Sequence, residues 1–364
     1  MRSHHGMSHR IVSRALLSLV LLACAAGAAF AGSEERKGTS GAHELGLAVG
    51  PRGSALGSPV VSDASGIEAM FWNPAGLATL EGTEVMFTHQ QFFAEMDLNY
   101  AALATRWAGG VIGFDAKVLS IGDIIVTTED APEGTGEILN PTFAVIGLTY
   151  GRQFTDRVLF GGTAHYVTEQ IGSNHASGMA FDFGVQYLTG WNGLKLGMTM
   201  QNFGTSMKFE GADFETNLLP PDSDPQASNR TFSSTSSSFE MPSHFALAAS
   251  YDAWTSNQQR LAALGSFQNN NFGLDNFGLG LEWNFLSLYA LRGSWFGEFG
   301  TTGGADEDSQ AEFHSGGDLY TGYALGGAAY IRTGDQGRMG VEVAWRPVQE
   351  FFDDIIEVGL KIKF

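Results

Sequence analysis

The residues of this chain that could carry out chemistry stand alone rather than in motifs. Outside the first ten residues histidine occurs singly, and no two copies have the spacing of metal ligands. The sequence also lacks a Gly-x-Ser-x-Gly elbow and a phosphate-binding glycine loop. His165, Asp182 and Ser294 could form a hydrolytic site only if separate strands brought them together. The sequence therefore predicts a protein that is not an enzyme and that holds no metal and no cofactor.

A second group of polar residues recurs at every other position within apolar segments. Asp115 and Lys117, for example, alternate with Phe114, Ala116 and Val118. Since successive side chains point to opposite faces of a β-strand, the polar residues share one face and their apolar neighbours the other. The polar-face residues singled out in this way are Asp115, Lys117, His165, Glu169, Asp182, Gln186, Glu282, Arg292, Glu342 and Arg346.

The same alternation predicts the elements that position these residues. The C-terminal segment alternates apolar and polar residues and ends on Phe364. A terminal Phe on such a strand resembles the outer-membrane insertion signal that the barrel-assembly machinery recognises. Fourteen segments of this kind are predicted, at 84–89, 98–107, 110–119, 142–152, 158–169, 178–188, 194–203, 244–252, 259–267, 276–286, 288–297, 318–332, 338–346 and 355–364. Most approach the nine to eleven or so residues that a tilted strand needs to cross a bilayer.

The predicted connections alternate between short and long. Examples of the short class are 108–109 and 286–287, and examples of the long class are 120–141 and 204–243. Bacterial outer-membrane barrels have an even strand number, short periplasmic turns and longer external loops. We therefore predict an all-β fold, a 14-stranded antiparallel transmembrane β-barrel whose polar faces line the lumen.

Composition and the N-terminus agree with an exported membrane protein. Charged residues make up 16% of the chain, against about 25% in a typical soluble domain. Arg2, Arg10 and Arg14 flank an apolar run that ends in Ala29-Phe30-Ala31, a pattern typical of a cleaved signal peptide. Removing these three arginines changes the net charge from −19 to −22, which excludes nucleic acid as a partner. The expected location is the outer membrane of a Gram-negative cell, in contact with its lipid.

The region between the leader and the first strand does not alternate. We predict a signal peptide at 1–31, a mobile segment and plug at 32–83, and the barrel at 84–364. Within the second region, 45–49 is expected to form a short strand, and Asp63 is expected to cap a helix that begins near Ala64. The lumen of a barrel of this size is wide enough to need filling, so this region is expected to lie inside it.

The plug region carries a family resemblance. Its central run, Met70-Phe71-Trp72-Asn73-Pro74-Ala75-Gly76 with Leu77-Ala78, resembles the N-terminal hatch of the FadL-type transporters of hydrophobic compounds. It is still more similar to the PorV/PorQ family of outer-membrane proteins. That second likeness continues through 126–136, 161–163, 169–171, 176–178, 193–197 and 201–204. The resemblance implies a fourteen-stranded barrel with an N-terminal plug.

Two functions follow from the resemblance. The first is a FadL-like channel in which a hydrophobic small molecule binds externally, passes the plug and leaves through a kinked strand. The alternative is a non-enzymatic component of a type IX-like secretion machinery, which would bind secretion-system proteins through its external loops. The lumen-facing charges have two open interpretations as well, because they could fix the plug in place or guide a ligand. Residues Met70 to Trp72 could line a transport path or pack the plug against the wall.

Overall fold

The computed structural model describes residues 36–219, 228–302, 310–315, 320–334, 337–349 and 352–364. The predicted signal peptide, 1–31, lies outside the described residues. No helix within the described ranges is long and apolar enough to cross a membrane.

Fourteen antiparallel strands close into one barrel. In chain order they are β1 Thr83–Gln91, β2 Asp97–Trp107, β3 Gly110–Ser120, β4 Thr142–Thr155, β5 Val158–Ile171, β6 Asn174–Leu188, β7 Lys195–Gly204, β8 His244–Ser256, β9 Gln259–Asn270, β10 Asp275–Phe285, β11 Tyr289–Thr302, β12 Tyr323–Thr333, β13 Gly337–Arg346 and β14 Ile355–Lys363. Each strand pairs with its neighbours in sequence, and β14 pairs with β1 to complete the circle. The predicted fold class is confirmed, and most strand limits agree within a few residues.

The two faces of the barrel differ in polarity as the alternation requires. Leu279, Leu281 and Phe114 are more than half exposed on the outer face. Asp115 and Glu282, at alternating positions of the same strands, are 5% and 1% exposed on the inner face. An apolar outer surface with buried charges on the inner face is the arrangement that a lipid bilayer imposes on a spanning sheet.

The two ends of the barrel also differ. One end, called here the short-turn end, includes the turn Ala108-Gly109, in which both residues have positive φ (49° and 77°), as the tightest hairpins require. The other, called the long-loop end, carries the connections 121–141 and 205–243, each with a small hairpin of its own. The separation of short and long connections between the two ends is less complete than expected. Strands β5 and β6 extend beyond their predicted limits and leave only 172–173 between them at the long-loop end.

The N-terminal region fills the barrel with short helices. These are His43–Gly46, α1 Pro51–Leu56, Ser58–Ser62, Gly66–Glu68, α2 Ala69–Trp72 and Pro74–Thr79. Residues 36–80 are called the plug below. The strand predicted at 45–49 is wrong, because the inner wall has already paired its backbone groups around the barrel and offers no free edge. The predicted cap at Asp63 is also wrong, because its carboxylate binds cations of the plug and wall instead.

Glycines on the inner wall let the plug approach the strands at backbone distance. A Cβ atom added to Gly161 of β5 would lie 2.2 Å from the carbonyl oxygen of Pro74, and one added to Gly184 of β6 would meet the Asn73 side chain. Such conflicts with the plug also occur on β3, β4, β7, β10, β12 and β14, at Gly113, Gly151, Gly197, Gly278, Gly326 and Gly359. Eight strands therefore contact the plug at glycine positions, where the strand has no side chain.

Candidate functional site

The hatch run is built around the fully buried Asn73. Its Oδ1 accepts a hydrogen bond from the Ala75 amide (3.1 Å) and so caps the helix Pro74–Thr79. Its Nδ2 donates to the carbonyls of Val61 (2.8 Å) and Val185 (3.3 Å), the latter on β6. One side chain thus joins two parts of the plug to the wall. Pro74, Ala75 and Gly76 are buried behind it, and the close approach of Gly76 to the Ala64 carbonyl leaves no room for a larger residue.

On the long-loop side of the plug lies a cavity of about 250 Å³, called here the long-loop cavity. Its floor is formed by Met70, Phe71 and Trp72 of the plug. Five of the predicted lumen residues line its wall, namely Asp115, Lys117, His165, Asp182 and Arg346. A mainly apolar hollow with a few converging polar groups is the usual form of a small-molecule site.

The polar groups of this wall are arranged across neighbouring strands. His165 Nε2 donates to Asp182 Oδ2 (2.9 Å), and Asp182 Oδ1 accepts from the backbone amide of Asn202 (2.7 Å). Lys117 Nζ donates to the plug carbonyls of Leu45 (3.1 Å) and Leu47 (3.2 Å). The ammonium also lies 4.7 Å from the centre of the Phe71 ring. Lys117 therefore fixes the plug, whereas the His165–Asp182 pair belongs to the wall itself.

The wall is irregular where it borders this cavity. Between β6 and β7 the register shifts, so that Gln201 and Asn202 lie opposite Asp182 alone. Asn202 has a positive φ of 59°, and its amide bonds the Asp182 side chain rather than continuing the ladder. This is a β-bulge, a feature that bends a strand and interrupts pairing. Gln201 Nε2 donates from the bulge to the Phe71 carbonyl of the plug.

On the opposite side of the plug a second cavity, of about 490 Å³, is lined mostly by charged residues. Arg52 of α1 is central to it and is 7% exposed. Its guanidinium forms a bidentate pair with Glu282 of β10, both contacts being 2.8 Å, and bonds Asp63 at 2.9 Å. Burial alone would lower the pKa of Arg52, but Glu282, Asp63 and Glu68 outweigh it and raise the pKa well above its ordinary value.

The ion pairs extend around the short-turn end. Glu282 also accepts from Arg292 (2.9 Å), which reaches Glu342 of β13 (2.6 Å). Lys361 of β14 joins Glu342 (3.4 Å) to Glu68 of the plug (2.6 Å). Asp63 binds Lys195 and Arg260 in addition to Arg52. Burial alone would raise the pKa of Asp63, but these three cations hold it below its ordinary value. The network ties six strands to the plug.

Two further predicted residues hold the plug elsewhere. Gln186 Nε2 donates to the carbonyls of Val61 (3.2 Å) and Ala64 (2.9 Å). Glu169 Oε1 accepts from the Ala42 amide (3.0 Å). The neighbouring Glu44 is 2% exposed, and neither of its carboxylate oxygens has a hydrogen-bond partner in the described part of the chain. Burial, followed by the nearness of Glu169, raises the pKa of Glu44 to about 8.

The structure thus divides the predicted lumen residues into groups. One group lines the long-loop cavity and consists of Asp115, Lys117, His165, Asp182 and Arg346. Glu282, Arg292 and Glu342 join the ion network about Arg52. Sequence reasoning missed the plug members of that network, Arg52, Asp63 and Glu68, and the strand members Lys195, Arg260 and Lys361. Lys361 occupies a polar position of the C-terminal alternation, which was the available signal. Phe364 is 64% exposed, and its amide donates to the Thr83 carbonyl (2.9 Å) at the closing seam.

Solved structures of two channels share this fold. One is described as the CymD monoaromatic hydrocarbon channel, with 12% identity over 87% of this chain and 97% of that one, and a TM-score of 0.54. Another is the P. putida toluene transporter TodX, with 12% identity over 87% of this chain and 98% of that one, and a TM-score of 0.52. At this identity the likeness establishes the barrel fold with its N-terminal helical segment. No protein-family model and no curated protein matches the chain.

Proposed function

We propose that the protein is a channel of the outer membrane that takes up small hydrophobic compounds. The observation that carries this proposal is the long-loop cavity, floored by Met70, Phe71 and Trp72 and adjoining a bulge in the wall. The named cargoes of the two similar barrels, toluene and monoaromatic hydrocarbons, support the chemical class.

In this proposal the cargo enters from the long loops, which face the cell exterior. It rests against the aromatic floor of the cavity, where apolar surface is removed from water at about 25 cal/mol per Å². The plug and its ion network close the axial route toward the short-turn end. The route of lowest resistance is therefore sideways between β6 and β7, where the bulge at Asn202 interrupts pairing. No step requires bond making, in keeping with a transporter that is not an enzyme.

A substitution that fills the cavity tests the proposal. Ser294 lines the cavity from β11, so Ser294→Trp is expected to bring uptake of toluene down to the protein-free rate. Uptake is measured in vesicles whose outer leaflet is lipopolysaccharide, because that leaflet slows passive entrance. Leu279→Trp, on the lipid-facing side of β10 and 61% exposed, is the matched control and should transport normally. Undiminished uptake by Ser294→Trp would refute the proposed route.

The secretion alternative receives no support from the structural neighbours, which are channels. Membership of the PorV/PorQ family remains a prediction. So do the insertion signal at Phe364 and the cleavage of residues 1–31. Pulldown with and without loop 205–243 would reveal a secretion partner, if the loop binds one.

A further inference from the structure

The bulge between β6 and β7 is held closed by side chains where the backbone ladder is interrupted. Asp182 of β6 lies opposite both Gln201 and Asn202 of β7. The Asn202 amide donates to the Asp182 carboxylate (2.7 Å), and the Asn202 side chain donates to the Pro242 carbonyl (3.3 Å). Bonds made by single side chains can break without separating the paired strands on either side, so the bulge can open locally.

Gln201 joins this bulge to the plug. Its Nε2 donates to the carbonyl of Phe71 (2.5 Å), and its Oε1 accepts from Nε2 of His244 (2.9 Å), the residue directly opposite on β8. Gln201 is 6% exposed, so water does not readily replace either contact. In the described part of the chain Asn202 bonds only wall and loop groups, so Gln201 supplies the hydrogen bond from the bulge to the plug.

Phe71 lies where the plug forms the floor of the long-loop cavity. Its ring lies 4.7 Å from the ammonium of Lys117 on β3 and packs edge-on against Trp72, with 5.1 Å between the ring centres. Its carbonyl is bonded by Gln201 from β7. Since hydrogen bonds weaken steeply once the geometry departs from the ideal, a shift of the plug at Phe71 breaks this bond. The cavity floor and the bulge in the wall are therefore mechanically joined.

The outer face of the wall at the bulge is apolar. Phe181 lies opposite Phe203 on one side of the bulge, and Phe183 lies opposite Met200 on the other. These four side chains are between 39% and 56% exposed on the outer face. The outer face of a spanning barrel contacts hydrocarbon. A gap at the bulge would therefore connect the cavity with the interior of the bilayer.

We infer that Gln201 is the positioning residue that keeps this side exit closed, and that the exit opens when the plug moves at Phe71 and breaks the Gln201 bond. The inference rests on the proposed channel function, since the cavity and the exit are the same. Gln201 acts here through the plug and the wall, by joining the position of one to the pairing of the other.

The test measures from which side a cysteine in the cavity can be reached. Ala246 of β8 lines the cavity two residues from His244, and Ala246→Cys is made in a Cys24→Ser background and placed in vesicles. N-hexadecylmaleimide, dissolved in the bilayer, reaches this thiol through the side exit. A sulfonated maleimide, dissolved in the outer water, reaches it through the long-loop mouth. The ratio of the two labelling rates reports the side exit.

Gln201→Met has nearly the volume of glutamine and lacks both hydrogen bonds. It should raise the labelling rate from the bilayer about fivefold, the factor that one net hydrogen bond contributes, and leave the rate from water unchanged. A residue that merely stabilised the fold would raise both rates together. Should the methionine variant not give the heat-stable folded band, Gln201→Asn, which is one methylene shorter, carries the same expectation.

Two controls isolate the contact with the plug. Gln186→Met also removes two hydrogen bonds to plug carbonyls (3.2 and 2.9 Å), but Gln186 lies in the regular ladder opposite Gly197, so the ratio should stay at the wild-type value. His244→Phe removes the wall contact of Gln201 and preserves its bond to Phe71, so this variant should also keep the wild-type ratio.

Three results would overturn the inference: an unchanged ratio in Gln201→Met, a rise of the same size in Gln186→Met, or a rise of the same size in His244→Phe. Toluene uptake by the wild type keeps the two proposals apart. Uptake together with an unchanged ratio in Gln201→Met refutes the role of Gln201 alone. A raised ratio without toluene uptake refutes the channel alone.

Discussion

Replacing Arg52 with methionine should release the plug. The Arg52 guanidinium bonds Glu282 of the wall at 2.8 Å and Asp63 of the plug at 2.9 Å. Methionine removes both contacts and preserves most of the side-chain volume. Removing one partner of a buried ion pair costs about 3–5 kcal/mol. In the variant Glu282 still pairs with Arg292 and Arg260, and Asp63 still pairs with Lys195. We therefore expect the lower end of that energy range. A loss of about 3 kcal/mol makes the undocked plug about a hundredfold more populated.

Thiol labelling measures that population. Ser62 of the plug is fully buried, and Ser62→Cys in a Cys24→Ser background places one reactive group where only undocking exposes it. When docking is fast, the labelling rate follows the open population, so Arg52→Met should accelerate labelling about a hundredfold. The control is Glu240→Gln, which breaks the exposed pair with Arg36 and should change the docking free energy by less than about 1 kcal/mol. Equal labelling rates in Arg52→Met and wild type would refute the view that the ion network fixes the plug.

Three further outcomes are expected. Gly161→Ala places a Cβ 2.2 Å from the Pro74 carbonyl oxygen and should weaken docking of the plug by about 1–3 kcal/mol. The control Gly265→Ala, whose Cβ would have 3.7 Å of clearance, should leave docking unchanged. Equal labelling rates of the two variants would contradict this expectation. Docking should weaken as pH rises from about 4.5 to about 8, because the docked plug retains the proton on Glu44 that the free plug releases. Glu44→Gln should reduce that slope in the same labelling assay, and an undiminished slope would assign it to other groups. Deleting Phe364 should reduce the fraction of chain that reaches the heat-stable, folded band on gels, and an undiminished fraction would exclude an insertion role.

The strands could be predicted from sequence because each reports its own environment. In β10, Leu279 and Leu281 alternate with Gly278, Gly280 and Glu282. This pattern arises because one face of the strand contacts lipid and the other faces the lumen. Strand ends were less predictable, since β5 and β6 stay paired up to Ile171 and Asn174, beyond the segments in which apolar and polar residues alternate.

The plug could not be predicted in the same way. Its short helices are far below the length at which helix propensity decides the conformation, so contacts with the wall decide it. Trp72 Nε1 donates to the Val49 carbonyl (2.9 Å), and Asn73 reaches β6, neither of which leaves a periodic signal. For the same reason the inward residues were found but not their groupings. Which of them meet Arg52 and which face the cavity depends on where the plug lies.

The wall glycines couple residues on strands that do not touch one another, because these glycines meet the same plug. Gly161 on β5 and Gly359 on β14 both meet the plug, the first at Pro74 and the second at Pro51. A side chain added at either position would conflict with the plug. Substitutions at the two glycines should therefore not be additive, although nothing joins their strands directly. The tolerance of these wall positions to substitution is therefore set by the plug that they share.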